Sequence, residues 1–158
     1  MCGDMKPVVL IGIETDLYAI ETYAVDRVIP LVDLRPVPHV PQFVRGLLNL
    51  GGRTVPVVDL GSLLLYRPCR DMLGTRIVVV NYPCHDGVER LLGLVAEKVL
   101  DVRRVDPGDF QNSVRTNGAP FLGPVFQVEE GTVQMIELAR LLPEPLQDGL
   151  FALKEDSG

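Results

Sequence analysis

An internal repeat limits what this 158-residue chain can fold into. A shift of 78 positions lays FVRGLLNLGGRTVPVVDLGSLL (residues 43–64) on FLGPVFQVEEGTVQMIELARLL (residues 121–142) without a gap. Six of the 22 aligned pairs are identical, and eight more keep their character, among them Asn49/Gln127, Val58/Ile136 and Asp59/Glu137. A second match, at a shift of 74, places residues 17–28 on 91–102 and pairs Ile20 with Leu94, Val25 with Val99 and Val28 with Val102. Two copies are too few for a stacked solenoid or a propeller, so the chain reads as one unit built twice.

The repeated unit is mainly β. Runs of Val, Ile and Leu alternate with turns drawn from 15 Gly and 13 Pro, the signature of many short strands. Ten are expected, near residues 7–13, 16–20, 25–34, 45–50, 53–58, 75–81, 90–95, 99–104, 125–129 and 132–136, which suggests barrels or a sandwich. Near its end each copy carries V-x-x-[VI]-[DE]-L-x-x-L-L, whose leucines at i, i+3 and i+4 have a helical period. The acid of that motif, Asp59 or Glu137, is expected to cap the helix or sit in its first turn, where negative charge is favourable. Beyond it, residues 137–142 and 146–153 read as helical pieces divided by Pro143.

Patterns that resemble catalytic motifs dissolve on inspection. In GLLNLGGRT (46–54) Gly52 and Arg53 stand where a phosphate loop needs Lys and Ser/Thr, and a strand follows instead of a helix. It reads as a hairpin turn. Cys84, His85 and Asp86 are consecutive, and neighbours in a polar turn seldom aim at one point. Asp101, Asp106 and Asp109 lack the ordered spacing of a cation loop and have Arg103 and Arg104 beside them. Two His and three scattered Cys (Cys2, Cys69, Cys84) form no metal-like cluster and fit reduced thiols. No catalytic residue, metal or cofactor is expected. The formal charge of −6 has the wrong sign for neutralising phosphates, so nucleic acid is not an expected partner. The longest apolar stretch near the N-terminus, residues 8–13, is too short for a signal peptide or a membrane span, so a cytoplasmic protein without direct membrane insertion is expected.

The stretch PVPHVPQFVRGLLNLGGRTVPVVDL (36–60) resembles the hallmark of the CheW-like family of chemotaxis coupling proteins, roughly P-x-F-[VI]-[RK]-G-[VIL]-x-N-L-R-G-x-x-[VI]-P-[VI]-[VI]-D-L. Looser matches follow in the family's order at VDRVIP (25–30), TRIVVVN (75–81) and LGLVAEKVLDV (92–102), the last with Ala96-Glu97 where Val-Asp is usual. The resemblance covers residues 8–142. It implies two five-stranded SH3-like β barrels with a short C-terminal helix: one domain over 7–142, barrel 1 mostly 14–72, barrel 2 mostly 73–142 with strand exchange open at the N-terminus, and a helical tail at 143–158. It also implies a non-catalytic adaptor recruited to membrane receptor arrays. Its expected partners are the cytoplasmic hairpin tip of a chemoreceptor, the regulatory domain of a CheA-type histidine kinase, and other CheW-like proteins.

By that resemblance the receptor groove is expected to involve Val25, Arg27, Val28, Leu48, Leu50 and Val102, while Gly46, Gly51, Gly52, Pro56 and Asp59 are structural turn residues. Two positions depart from the family. Arg27 stands where a glutamate is usual and Gly51 where an arginine is usual, so an acid and a base that commonly pair are both absent. Arg27 lies beside Asp26, but strand alternation should turn neighbours to opposite faces. The departures imply a divergent adaptor, as in a non-flagellar chemosensory system. A kinase-binding competitor that ignores receptors and a small ligand-binding barrel are the alternatives.

Overall fold

The computed structural model describes residues 5–112 and 119–153; Cys2 and residues 154–158 of the expected tail lie outside the described residues. Among the described residues ten strands form: β1 (Lys6–Ile13), β2 (Asp16–Glu21), β3 (Val25–Pro30), β4 (Val44–Leu50), β5 (Arg53–Asp59), β6 (Arg76–Pro83), β7 (Glu89–Ala96), β8 (Lys98–Val105), β9 (Leu122–Val128) and β10 (Gly131–Ile136). Helix α1 (Leu60–Leu65) follows β5, and α2 (Glu144–Phe151) follows β10 after a 3₁₀ turn at Leu138–Arg140. Strand β3 stops at Pro30 rather than continuing to 34; residues 31–34 leave the ladder to begin the long connection to β4.

The strands make two five-stranded sheets, ordered β8-β1-β2-β10-β9 and β3-β6-β7-β5-β4. Exchanging each strand for its repeat mate (β1 with β6, β2 with β7, and so on) converts one order into the other, the arrangement of two SH3-like barrels. The sheets do not follow the expected division at 72/73. The first sheet joins β1 and β2 to β8–β10, and the second joins β3–β5 to β6 and β7. After each opening hairpin the chain crosses to the other sheet. Burial explains why. Val8 and Leu10 of β1 enter a small core with Ala19, Phe126 and Val133, whereas Val9, Ile11 and Ile13 enter a larger core that also holds the second sheet. With both faces covered, β1 has a continuous apolar run rather than an alternating one.

Matching backbone details confirm the duplication. Asp59 N–H bonds Phe43 O at 2.7 Å, and Glu137 N–H bonds Phe121 O at 2.7 Å, the same pair displaced by 78. An isolated bridge joins Arg35 to Leu47 in one copy and Gln111 to Val125 in the other. Both β4 and β9 bulge just after their first residue, at Arg45 and in the equivalent stretch 123–124.

Hairpin β4–β5 turns at Gly51 (φ 58°) and Gly52 (φ 87°), two successive left-handed residues as a tight primed turn requires, and Asn49 Oδ1 accepts the Gly52 N–H at 2.9 Å. Pro56 sits opposite Leu47, whose N–H and C=O are both used by Arg35, so this pair asks no ladder bond of the proline. Gly46 has φ 143°, and a Cβ there would lie 2.5 Å from Arg35 O. A Cβ at Gly52 would meet open space. Gly46→Ala is therefore expected to cost about 3 kcal/mol or more and Gly52→Ala about 1 kcal/mol, read by chemical denaturation. Equal losses would contradict the steric account of Gly46.

Candidate functional site

Strands β3 and β8 are repeat mates, and each lies at the edge of a sheet. Their apolar side chains form two matching strips. On β8, Val102 stands opposite Val9 and Val99 opposite Ile11, with a bulge between them. Directly opposed residues share a face, and Val9 and Ile11 both belong to the larger core between the sheets. On β3, Val28 stands opposite Val78 and Val25 opposite Val80, with a bulge at the same place. Val25 and Val99 are half-buried against the larger core, while Val28 and Val102 are 40% and 51% exposed. The bulges keep each pair of valines on one face where plain alternation would have split them.

Three of the expected groove residues, Val25, Val28 and Val102, thus fall on these strips. Val99 completes the set, and its signal lay in the shift of 74 that pairs it with Val25. Leu48 does not belong there. It is 4% exposed and lies in the larger core opposite Val55, because the alternation of β4 turns Leu48 inward and Asn49 outward. Leu50 is half-buried against the same core at the hairpin end, opposite Arg53. Arg27 donates to Asp26 Oδ2 at 2.6 Å: the bulge at Asp26 breaks the alternation that should have separated them. Strand β3, which carries Arg27, and strand β4, which leads to Gly51, stand at opposite ends of one sheet order and are not ladder neighbours.

Behind the strips, two buried carboxylates tie the connector between α1 and β6 to both sheets. Asp59, fully buried, caps α1 by accepting Ser62 N–H at 2.9 Å, accepts Cys69 N–H at 3.0 Å, and pairs with Arg45 at 2.8 Å. The bulge in β4 aims Arg45 at it. Gly61 must be glycine, because a Cβ there would lie 2.7 Å from Arg67 O. Burial, with Asp59 alongside, pushes the Cys69 thiol up to about 12. Glu137, the mate of Asp59, makes no such cap; its 3₁₀ turn has no side-chain N-cap bond, and the carboxylate meets Arg140 at 3.3 Å.

Glu97 connects β7 to β8 and is 2% exposed. It accepts Arg70 N–H at 2.7 Å, Glu14 N–H at 2.7 Å and the Arg67 guanidinium at 3.0 Å. Arg67 also donates to Glu14 at 2.7 Å in the β1–β2 turn. Burial pushes the Glu97 carboxyl up, but the bonds from Arg70, Arg67 and Glu14 outweigh it and hold it at about 2.

The residues that mimic a catalytic triad diverge. His85 reaches Asp148 of α2 at 2.8 Å, Asp86 pairs with Arg90 at 2.8 Å, and Cys84 is buried in the hairpin turn. Asp101 pairs with Arg103 at 2.8 Å, and Asp106 caps Gly108 N–H at 2.9 Å. What the geometry presents is a two-barrel β protein with matching, partly exposed apolar strips on two edge strands.

The family model for the CheW-like domain matches residues 7–145, and this chain belongs to that family. It is 25% identical over 130 residues to the chemotaxis protein CheW of Treponema pallidum (strain Nichols), covering 78% of this chain and 72% of that protein. It is 26% identical over 111 residues to the chemotaxis protein CheW of Rhizobium meliloti (strain 1021), covering 68% of each. The crystal structure of scaffolding protein TtCheW from Thermoanaerobacter tengcongensis superposes with a TM-score of 0.77 at 22% identity over 89% of both chains, so the fold is shared.

Replacing Glu97 by Gln should cost about 2 to 4 kcal/mol, because Arg67 and two N–H groups lose their charged partner. A carboxylate held below its ordinary 4.5 contributes stability that is present above that value and lost as pH falls through about 2. The gap between wild type and Glu97→Gln should narrow over that window in denaturation curves. A gap independent of pH would remove the ion pair from the account.

Proposed function

We propose that this chain is a non-catalytic adaptor that couples the cytoplasmic helical hairpin of a chemoreceptor to the regulatory domain of a CheA-type histidine kinase. The observation that carries this is the pair of matching apolar strips, Val25/Val28 and Val99/Val102, on repeat-related edge strands. An amphipathic helix buries its apolar face most readily against such rigid apolar surface, gaining about 25 cal/mol per Å² removed from water. Family membership supports the same reading.

The substitution at the family's acid position supports a specialised receptor, as in a chemosensory system that does not serve flagella. Arg27 is 53% exposed in its side chain and shares its charge with Asp26, so the β3 edge presents a base–acid pair of its own where the family's usual residue is a glutamate. A kinase-binding competitor without receptor affinity is the second reading, favoured by the same substitution.

Val28→Glu or Val102→Glu should weaken receptor-fragment binding at least tenfold, with the melting temperature within a few degrees of wild type and kinase binding retained. Kinase binding without any receptor binding in the wild type would favour the competitor. Arg27→Glu should weaken binding to the cognate receptor by about 1 to 3 kcal/mol, as for a partly desolvated charge contact. Adding Gly51→Arg should improve binding to a receptor of the usual chemotaxis type. Calorimetric titrations of both variants against both receptors decide this, and unchanged affinities would sink it.

A further inference from the structure

Beside the Leu138–Arg140 turn lies a groove of about 570 Å³, and the repeat shows what occupies the equivalent place on the other sheet. Asp59 corresponds to Glu137 at the shift of 78, and Val95 and Glu97 correspond to Glu21 and Tyr23 at the shift of 74. The ladders agree with these shifts: the parallel pair Val57–Gly93 of one sheet is Met135–Ala19 of the other. On the second sheet Asp59 of the first copy, with Val95 and Glu97 of the second, seats an extended segment of the chain itself. Cys69 N–H bonds Asp59, Cys69 Sγ meets Val95 O at 3.3 Å, Arg70 N–H bonds Glu97, and Arg67 spans Glu97 and Glu14. In the second copy the chain turns away at Pro143 into α2, whose Phe151 packs on Tyr82 at 5.9 Å between ring centroids. Glu137, Glu21 and Tyr23 instead line the groove.

We propose that this groove binds an extended segment of a partner protein carrying an arginine followed two residues later by a small side chain, as Arg67-Pro68-Cys69 does in the first copy. The surface is distinct from the valine strips, and the proposal does not depend on the receptor reading. Charge supports it: Lys6 pairs with Glu21 at 2.9 Å and Arg140 with Glu137 at 3.3 Å, so Glu89 supplies the groove's net negative charge. Glu89 stands where β7 leaves the β6–β7 turn, as Glu14 stands in the β1–β2 turn, the place where Arg67 finds its second carboxylate. The fit is not atom for atom. Ala139 takes the place of Gly61, where a Cβ would strike the seated segment, so the occupant lies further out by about the thickness of a methyl group. Glu137 is one methylene longer than Asp59 and reaches outward by about 1.5 Å more, which restores the contact.

The test titrates the peptide YRPCRD, residues 66–71 with C69S, into the ¹⁵N-labelled full chain. Saturable shifts at Lys6, Glu89 and Ala139 are expected, with affinity weakened at least tenfold by Glu89→Lys, by Ala139→Phe, or by R67Q in the peptide. Val28→Glu should leave peptide affinity unchanged. Absence of saturable shifts at millimolar peptide overturns the proposal, as does unchanged affinity in both Glu89→Lys and Ala139→Phe. Shifts centred on Asp59 and Glu97 also overturn it, because the peptide would then be displacing the native connector. Shifts confined to β3 and β8 overturn it while leaving the adaptor reading untouched.

Discussion

Glu97 is a carboxylate removed from water at the point where the two sheets meet, and such a group is tolerated only when its lone pairs are filled by donors with good geometry. Its donors come from two places distant in sequence: the β1–β2 turn, and the connector after α1, through the Arg67 side chain and the Arg70 backbone. Satisfying one buried charge therefore fixes a turn of the first sheet against a connector that leads into the second. Asp59 holds the same connector to the second sheet, clasping the Cys69 N–H and the start of α1 while Arg45 neutralises it. Apolar burial supplies most of the driving force, but it is tolerant of sliding and repacking. The carboxylates supply direction, and they hold the relative placement of the two barrels on which any shared surface depends.

The valine strips are a consequence of that placement. Edge strands invite unwanted pairing, and both β3 and β8 carry a bulge and charged residues that blunt it. The same bulge keeps two valines of each strand on the face that looks toward the other sheet. One local irregularity, used twice, therefore both discourages strand addition and presents apolar surface. The Asp26–Arg27 pair belongs to the same economy, since only a bulge lets sequence neighbours on a strand meet.

Much of this was legible in the sequence, and the parts that were not share a physical cause. Ten strands were readable because β-branched runs between Gly and Pro have few other uses, and the repeat told which strands were equivalent. Asp59 was readable as a cap because capping is a local matter of four residues. Strand exchange was left open only at the N-terminus, and its second crossing, after Ala96, was not readable, because crossing to the other sheet leaves each strand's own alternation unchanged. Leu48 was misplaced onto the surface because an apolar residue in a β hairpin looks the same whether it faces a partner or a core. Glu97 showed only as a departure from a motif; its donors lie 27 to 83 residues away, beyond any local pattern.

Consider a chain with only one copy of the unit. Its hairpin would lack the three strands that complete its sheet, and its remaining strands would lack a hairpin to lean on, because each sheet draws two strands from one copy and three from the other. Two such chains related by a twofold axis could complete both sheets by exchanging halves. The present molecule is the topological equivalent of that symmetric dimer with its subunits fused end to end. Fusion freed the two halves to diverge: an asymmetry such as a connector seated on one copy and a helix turned away on the other cannot arise in a homodimer without appearing twice.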